Sequence, residues 1–218
     1  MTGAIRILGA KGVAYKRLRE DAQWPPRFTK LLLSLSGGKE LALTDPRRFG
    51  KVLLRESPEE QPPLSLLAPD PVTDALPLRE FVAGLRSARA PVKALLLSQD
   101  KLVCGVGNWV ADEVLFHAAV HPATSACALT DAEARAVHAA VLRICRIACS
   151  VSADHTRFPK GWLFHHRWGK GRDSAGQGGS AREAPPKGAA LPDGRAIEFS
   201  VVGGRTTAYV PAVQGSSP

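Results

Sequence analysis

The chain has 218 residues, 44% of them hydrophobic and 22% charged, and 29 Lys and Arg against 20 Asp and Glu leave a formal charge of +9. That balance excludes wholesale disorder, because there is enough apolar surface to bury a core. No apolar run approaches the ~18–20 residues of a membrane-spanning helix, so no membrane partner is expected.

The first region reads as β. Ile5 and Ile7 alternate with Arg6 and Leu8. Leu31, Leu33 and Leu35 alternate within 30–36, and Ser36-Gly37-Gly38 turns the chain into a second alternating run over 39–44. Asp45-Pro46-Arg47-Arg48 follows, and a third strand is expected from Phe49 to Arg55. Positions 57–77 hold Pro58, Pro62, Pro63, Pro69, Pro71 and Pro77, which marks a linker and a domain boundary.

Beyond the linker the apolar period changes from two to about 3.6. Leu78, Phe81, Val82 and Leu85 mark one helix, and Val92 to Gln99 a short second one. Gly105-Val106-Gly107-Asn108 breaks the chain, with Asn108 as the expected N-cap of a helix over 109–119. Thr130-Asp131-Ala132-Glu133 is a capping box before Val137, Val141, Ile144 and Ala148. The region 78–156 is thus a bundle of about four helices. The region 157–218 returns to β: Ile197, Phe199 and Val201 alternate, Gly203-Gly204 turns the chain, and 205–210 comes back. A Gly/Ser/Pro-rich flexible insertion is expected over 169–190.

Four cysteines, Cys104, Cys127, Cys145 and Cys149, form no C-x-x-C pair, which fits a reducing compartment without a disulfide framework. The start shows no basic flank and apolar core of a signal peptide. Adjacent His165 and His166 point in different directions and lack partner ligands nearby in sequence, so no metal is expected there. His117 and His138 lie on helical segments and read as structural or exposed.

The positive surplus fits either a solvated face or a polyanion. The glycine turn before a helix start suits the second, although alone it reads as a plain tight turn capped by Asn108, and only the longer string that follows it is specific. Its glycines let a backbone approach closely, and the helix N-terminus offers free N–H groups to a phosphate, with Asn108 as a side-chain donor. The string continues as Trp109-Val110-Ala111-Asp112-Glu113-Val114-Leu115-Phe116, then Ala118 and His121-Pro122. It resembles the helix–two-turn–helix module of the formamidopyrimidine-DNA glycosylase family. Asp45-Pro46-Arg47-Arg48-Phe49-Gly50 supports the resemblance. So do the run Phe158 to His165 and the run Gly203 to Pro211, both similar to the plant and fungal branch.

The resemblance implies an α+β fold: part of an N-terminal β-sandwich over 1–56, the helix–two-turn–helix bundle, and a C-terminal hairpin. It implies base-excision repair of oxidised purines in duplex DNA, by a DNA glycosylase/AP lyase that needs no cofactor. A nuclear monomer is expected. Arg48, Lys93, Asn108 and Arg205 match residues that hold the DNA backbone, and Met1, Arg47 and Phe49 match the wedge that fills the gap left by a flipped base. Ser98 stands where an aspartate is common in the family, and the stretch from Lys93 to Asn108 is one residue longer than the family pattern. Glu113 reads equally as orienting the turn or as a surface carboxylate. Bacterial relatives carry a four-cysteine zinc finger in the hairpin. Here Val210 and Val213 occupy the second pair of positions, so a zincless finger held by Phe199, Tyr209 and Val210 is expected.

In the family the nucleophile is an N-terminal proline amine, followed by a glutamate acid/base. Met1-Thr2-Gly3-Ala4 instead resembles an interior motif of the β-sandwich, so the chain reads as N-terminally truncated with no catalytic residue present. Thr2 matches an interior strand position and is not expected to substitute. The alternative to an enzyme is therefore a catalytically inactive damaged-DNA-binding fragment. A nucleic-acid binder outside repair is a third class, but such a protein has no use for the wedge string.

Overall fold

A computed structural model describes residues 3–10, 23–167 and 188–215. The chain divides into two compact units, Met1–Glu56 and Ser57–Pro218. The fold is α+β, with strands in both units and the long helices in the second.

The first unit is an antiparallel sheet of β1 (Ala4–Ile7), β2 (Thr29–Leu35) and β3 (Lys39–Thr44), in the order β1-β3-β2. Gly37 and Gly38 have φ of 76° and 71°, so two successive left-handed residues reverse the chain and pair Leu35 with Lys39. The central strand buries Ala42 and Thr44. The outer strands present Ile5, Ile7, Leu33 and Leu35 at the surface.

The expected strand from Phe49 to Arg55 is absent: 51–55 have no regular structure, and Leu54 is 96% exposed. A period of two specifies a face, but a strand also needs a neighbour for its N–H and C=O groups. Residues 49–55 pair with no strand among the described residues.

The second unit is built on α1 (Leu78–Arg86), α2 (Val92–Leu97), α3 (Asn108–His117) and α4 (Asp131–Ser150). Its C-terminal part is a hairpin of β4 (Glu198–Val202) and β5 (Arg205–Tyr209), then a single turn, α5 (Pro211–Gln214). The capping box forms: Thr130 Oγ1 accepts from Glu133 N at 3.2 Å, and Glu133 Oε2 accepts from Thr130 N at 2.8 Å. It starts α4 in the register that turns Ala134, Val137, Val141, Ile144 and Ala148 inward. They join Phe81, Leu85, Leu96, Val114 and Leu115 in the main core.

The proline-rich stretch is ordered against this core. Ala68 N donates to Gln99 O at 2.8 Å, Cys104 N donates to Pro69 O at 3.2 Å, and His138 Nε2 lies 2.9 Å from Leu76 O. Proline lacks a donor, but its segment still offers carbonyls to neighbours. A second cluster, Leu163, Ala189, Leu191, Ile197, Ala208 and Val210, sits under the hairpin. The expected insertion at 169–190 falls mostly outside the described residues, and its described end is packed, with Ala189 buried.

Candidate nucleic-acid interface

The turn before α3 is held from within by one side chain. Gln99 Nε2 donates to Leu97 O at 2.9 Å and Val106 O at 3.1 Å, while its Oε1 accepts from Gly105 N at 2.8 Å. Gly105 lies at φ 76°, where a side chain is strained. The N-cap of α3 is Gly107, not Asn108, and no side chain caps the helix. Asn108 is the first helical residue. Its Nδ2 donates instead to Thr206 O on β5 at 2.8 Å. The capping expectation fails because this distant carbonyl holds the amide.

Thr206 O also accepts from Lys93 Nζ at 3.2 Å. Lys93, matched to a residue that holds the DNA backbone, is fully buried at 0% exposure. Its ammonium lies 2.7 Å from Asp112 Oδ1 and 2.7 Å from Thr207 Oγ1. The apolar residues on both sides of it, in Val92-Lys93-Ala94-Leu95-Leu96-Leu97, seat α2 in the core and take the lysine with them. Burial lowers the Lys93 pKa; Asp112 works against that, and Arg167 and Arg205 add to it.

Asp112 is the hub. It is 1% exposed, and its Oδ2 lies 2.7 Å from Arg167 Nη2 and accepts from Ala208 N at 3.2 Å. Glu113, beside it, is a buried carboxylate and not a surface one. It accepts from Leu163 N at 3.0 Å and Phe164 N at 2.8 Å, and lies 3.0 Å from His117 Nε2. It thereby anchors the run Phe158 to His165 to α3.

Arg205 stands at the hairpin tip, exposed. Gly203 and Gly204, at φ 59° and 70°, form the tight turn before it. A Cβ on Gly203 would come within 3.0 Å of Ala94 Cβ and 3.2 Å of Ala94 Cα, so the tip rests directly on α2. Asn108, Lys93 and Arg205 are thus brought together, around the peptide that follows Arg205. The surface they make is basic, with Arg205 outside and two buried cations facing one carboxylate beneath.

The first unit holds the other motif. Asp45 accepts from Gly50 N at 2.6 Å and Arg47 N at 3.3 Å, closing the loop 45–50 on itself. The Gly50 bond, with help from the Arg47 and Arg48 amides, holds the Asp45 carboxyl below its usual range against the opposing effect of burial. Arg47 Cζ lies 5.2 Å from the Phe49 ring centroid, and Phe49 is 77% exposed. Arg48, also exposed, sits at φ 58°. Met1 lies outside the described residues.

The hairpin is packed from inside by apolar groups. Val210 is fully buried, Phe199 and Val213 pack on the same cluster, and Tyr209 OH donates to Glu198 Oε2 at 2.8 Å. The His121 ring meets Tyr209 edge-on at 4.7 Å. Among the described residues no group of three His, Cys, Asp or Glu side chains is disposed to hold a metal.

Asp112, Arg167 and Gln99 carry this geometry and were not singled out by sequence. Asp112 had a signal: it lies four residues after Asn108, one turn along the same helix face. Arg167 had none, because nothing local connects it to α3.

Residues 67–160 match the formamidopyrimidine-DNA glycosylase H2TH domain, and residues 1–52 match the formamidopyrimidine-DNA glycosylase N-terminal domain. A formamidopyrimidine-DNA glycosylase of Thermus thermophilus is 35% identical over 201 residues, covering 89% of this chain and 71% of that protein. The chain belongs to the formamidopyrimidine-DNA glycosylase family. The Arabidopsis thaliana formamidopyrimidine-DNA glycosylase is 38% identical over 98% of this chain, which spans only 51% of its length. The crystal structure of MutM (Fpg) from Thermus thermophilus superposes with a TM-score of 0.69 at 32% identity, over 100% of this chain and 74% of that one. A Lactococcus lactis formamidopyrimidine-DNA glycosylase, solved non-covalently bound to DNA containing an AP site, shares the fold (TM-score 0.70, 22% identity, 99% of this chain and 72% of that one). In this glycosylase family frame, Asn108 and Arg205 belong to the matched helical module and to the hairpin that follows it.

Proposed function

We propose that this chain recognises oxidised-purine and abasic lesions in duplex DNA, as a member of a base-excision glycosylase/AP lyase family. The observation that carries this is the meeting of Asn108 and Arg205 at one basic surface, where Asn108 Nδ2 donates to the carbonyl of Thr206, the residue next to the exposed Arg205. The start of α3 adds N–H groups left without a side-chain cap. Arg48 offers a further cation beside the stacked Arg47 and Phe49, whose planar faces suit the gap left by an extruded base. The zincless hairpin, a monomeric state and a nuclear location are parts of the same reading, and no cofactor is required by it.

The family chemistry, as the resemblance implies it, runs through a proline amine that forms a Schiff base at the sugar C1′. The alternative reading is a damaged-DNA-binding role without covalent chemistry. Incubation with an 8-oxoguanine duplex and borohydride tests it. The expected result is tighter binding than to an undamaged duplex. A trapped adduct would decide for glycosylase/AP lyase chemistry over binding alone, and equal binding of damaged and undamaged duplexes would remove lesion recognition.

A further inference from the structure

The proposed grip needs Arg205 and Asn108 at a fixed spacing, although they lie on different elements. A buried device joins those elements. Asp112, on α3, receives Lys93 Nζ from α2 at 2.7 Å, Arg167 Nη2 from the segment beyond α4 at 2.7 Å, and Ala208 N from β5 at 3.2 Å. Lys93 continues to Thr206 O and Thr207 Oγ1. Residues 206–208 of β5 are thereby tied to one carboxylate, directly or through one intervening ammonium.

Stability alone does not account for this arrangement. A buried ionic cluster is often no more stabilising than apolar residues of equal volume. What it supplies is register: the guanidinium is planar, and its donors are fixed in direction.

We propose that Asp112 and Arg167 are positioning residues of the DNA grip. Together they lock β5 onto α3, so that Arg205 and Asn108 engage phosphate oxygens as one unit. The proposal rests on the DNA-binding function above.

The test uses the full chain and a duplex bearing a tetrahydrofuran abasic-site analogue, titrated over a range of salt. Arg167→Met leaves the Lys93–Asp112 pair intact, so no lone buried charge is created. Affinity is expected to fall about tenfold and the salt slope by ~0.9, the equivalent of one phosphate contact. In an Arg205→Ala background the same substitution is expected to add less than about twofold, because the contact it positions is already gone. Equal losses in both backgrounds, or an unchanged slope, would overturn the proposal. Arg167→Lys is the second variant, keeping the charge but not the fork. It is expected to give a smaller loss with the same dependence on Arg205, and an additive loss there also overturns the proposal. Failure of the unmodified chain to bind the duplex is a separate result, which removes the underlying function as well.

Discussion

Asn108 shows how a residue's role depends on what folds beside it. Its position before an apolar helical run reads as a cap, yet its amide crosses to a carbonyl 98 residues away. Lys93 shows the same limit from the other side. It matches a residue that holds the DNA backbone, and here it is a buried tie to Asp112 and β5. His121 brings a testable pH effect. It is 5% exposed, accepts from Ala123 N through Nδ1 at 3.2 Å, and has Tyr209 and the Glu198 carboxylate as neighbours. Burial lowers its pKa, and Glu198 only partly offsets that. The folded state therefore binds the proton less readily than the unfolded chain does. Its contribution to stability is intact above the ordinary histidine value of about 6.5 and falls as pH drops below it toward the folded pKa. Thermal melts at pH 7.5 and 5.5 are expected to differ less in His121→Phe than in the unmodified chain. An identical pH difference in both would contradict this account.

The hairpin tests the argument at the level of the element. Gly203 and Gly204 are both left-handed, but only Gly203 faces Ala94 at 3.0 Å, and nothing lies within 4 Å of a Cβ on Gly204. Gly203→Val is expected to cost on the order of 1–3 kcal/mol, from strain plus the clash with α2. Gly204→Asn is expected to be close to neutral, because asparagine tolerates this backbone region. Urea unfolding measures both, and equal effects would contradict the docking of the tip on α2. The hairpin is also held by Val210, Phe199 and the Tyr209–Glu198 bond. Treatment with EDTA is therefore expected to leave the melting temperature unchanged, and a chelator-induced loss of fold would refute an apolar hairpin. Much at this scale was legible. The capping box at Thr130, the change of period and the glycine pairs placed the helices and turns, because those signals are local. The strand expected over 49–55 failed because alternation says nothing about a partner. Lys93, Asp112 and Arg167 meet only when α2, α3 and β5 pack, and a linear pattern does not contain that event.

For the whole molecule, the charge of +9 sets the expectation of a polyanionic partner. The fold turns that surplus into two exposed features, the Arg47–Phe49 loop in the first unit and the Arg205 tip in the second. The family was readable from ordered strings of residues, since each string carries a geometric demand of its own. The proposed duplex contacts are electrostatic, and counterion release makes them countable. The most direct measurement is the salt dependence of binding to a duplex with a tetrahydrofuran abasic-site analogue, compared between the unmodified chain and Arg205→Ala. The account predicts that the slope of log K against log salt becomes shallower by ~0.9 in the variant, with its melting temperature unchanged. An unchanged slope would contradict the assignment of Arg205 and its neighbours as the DNA grip.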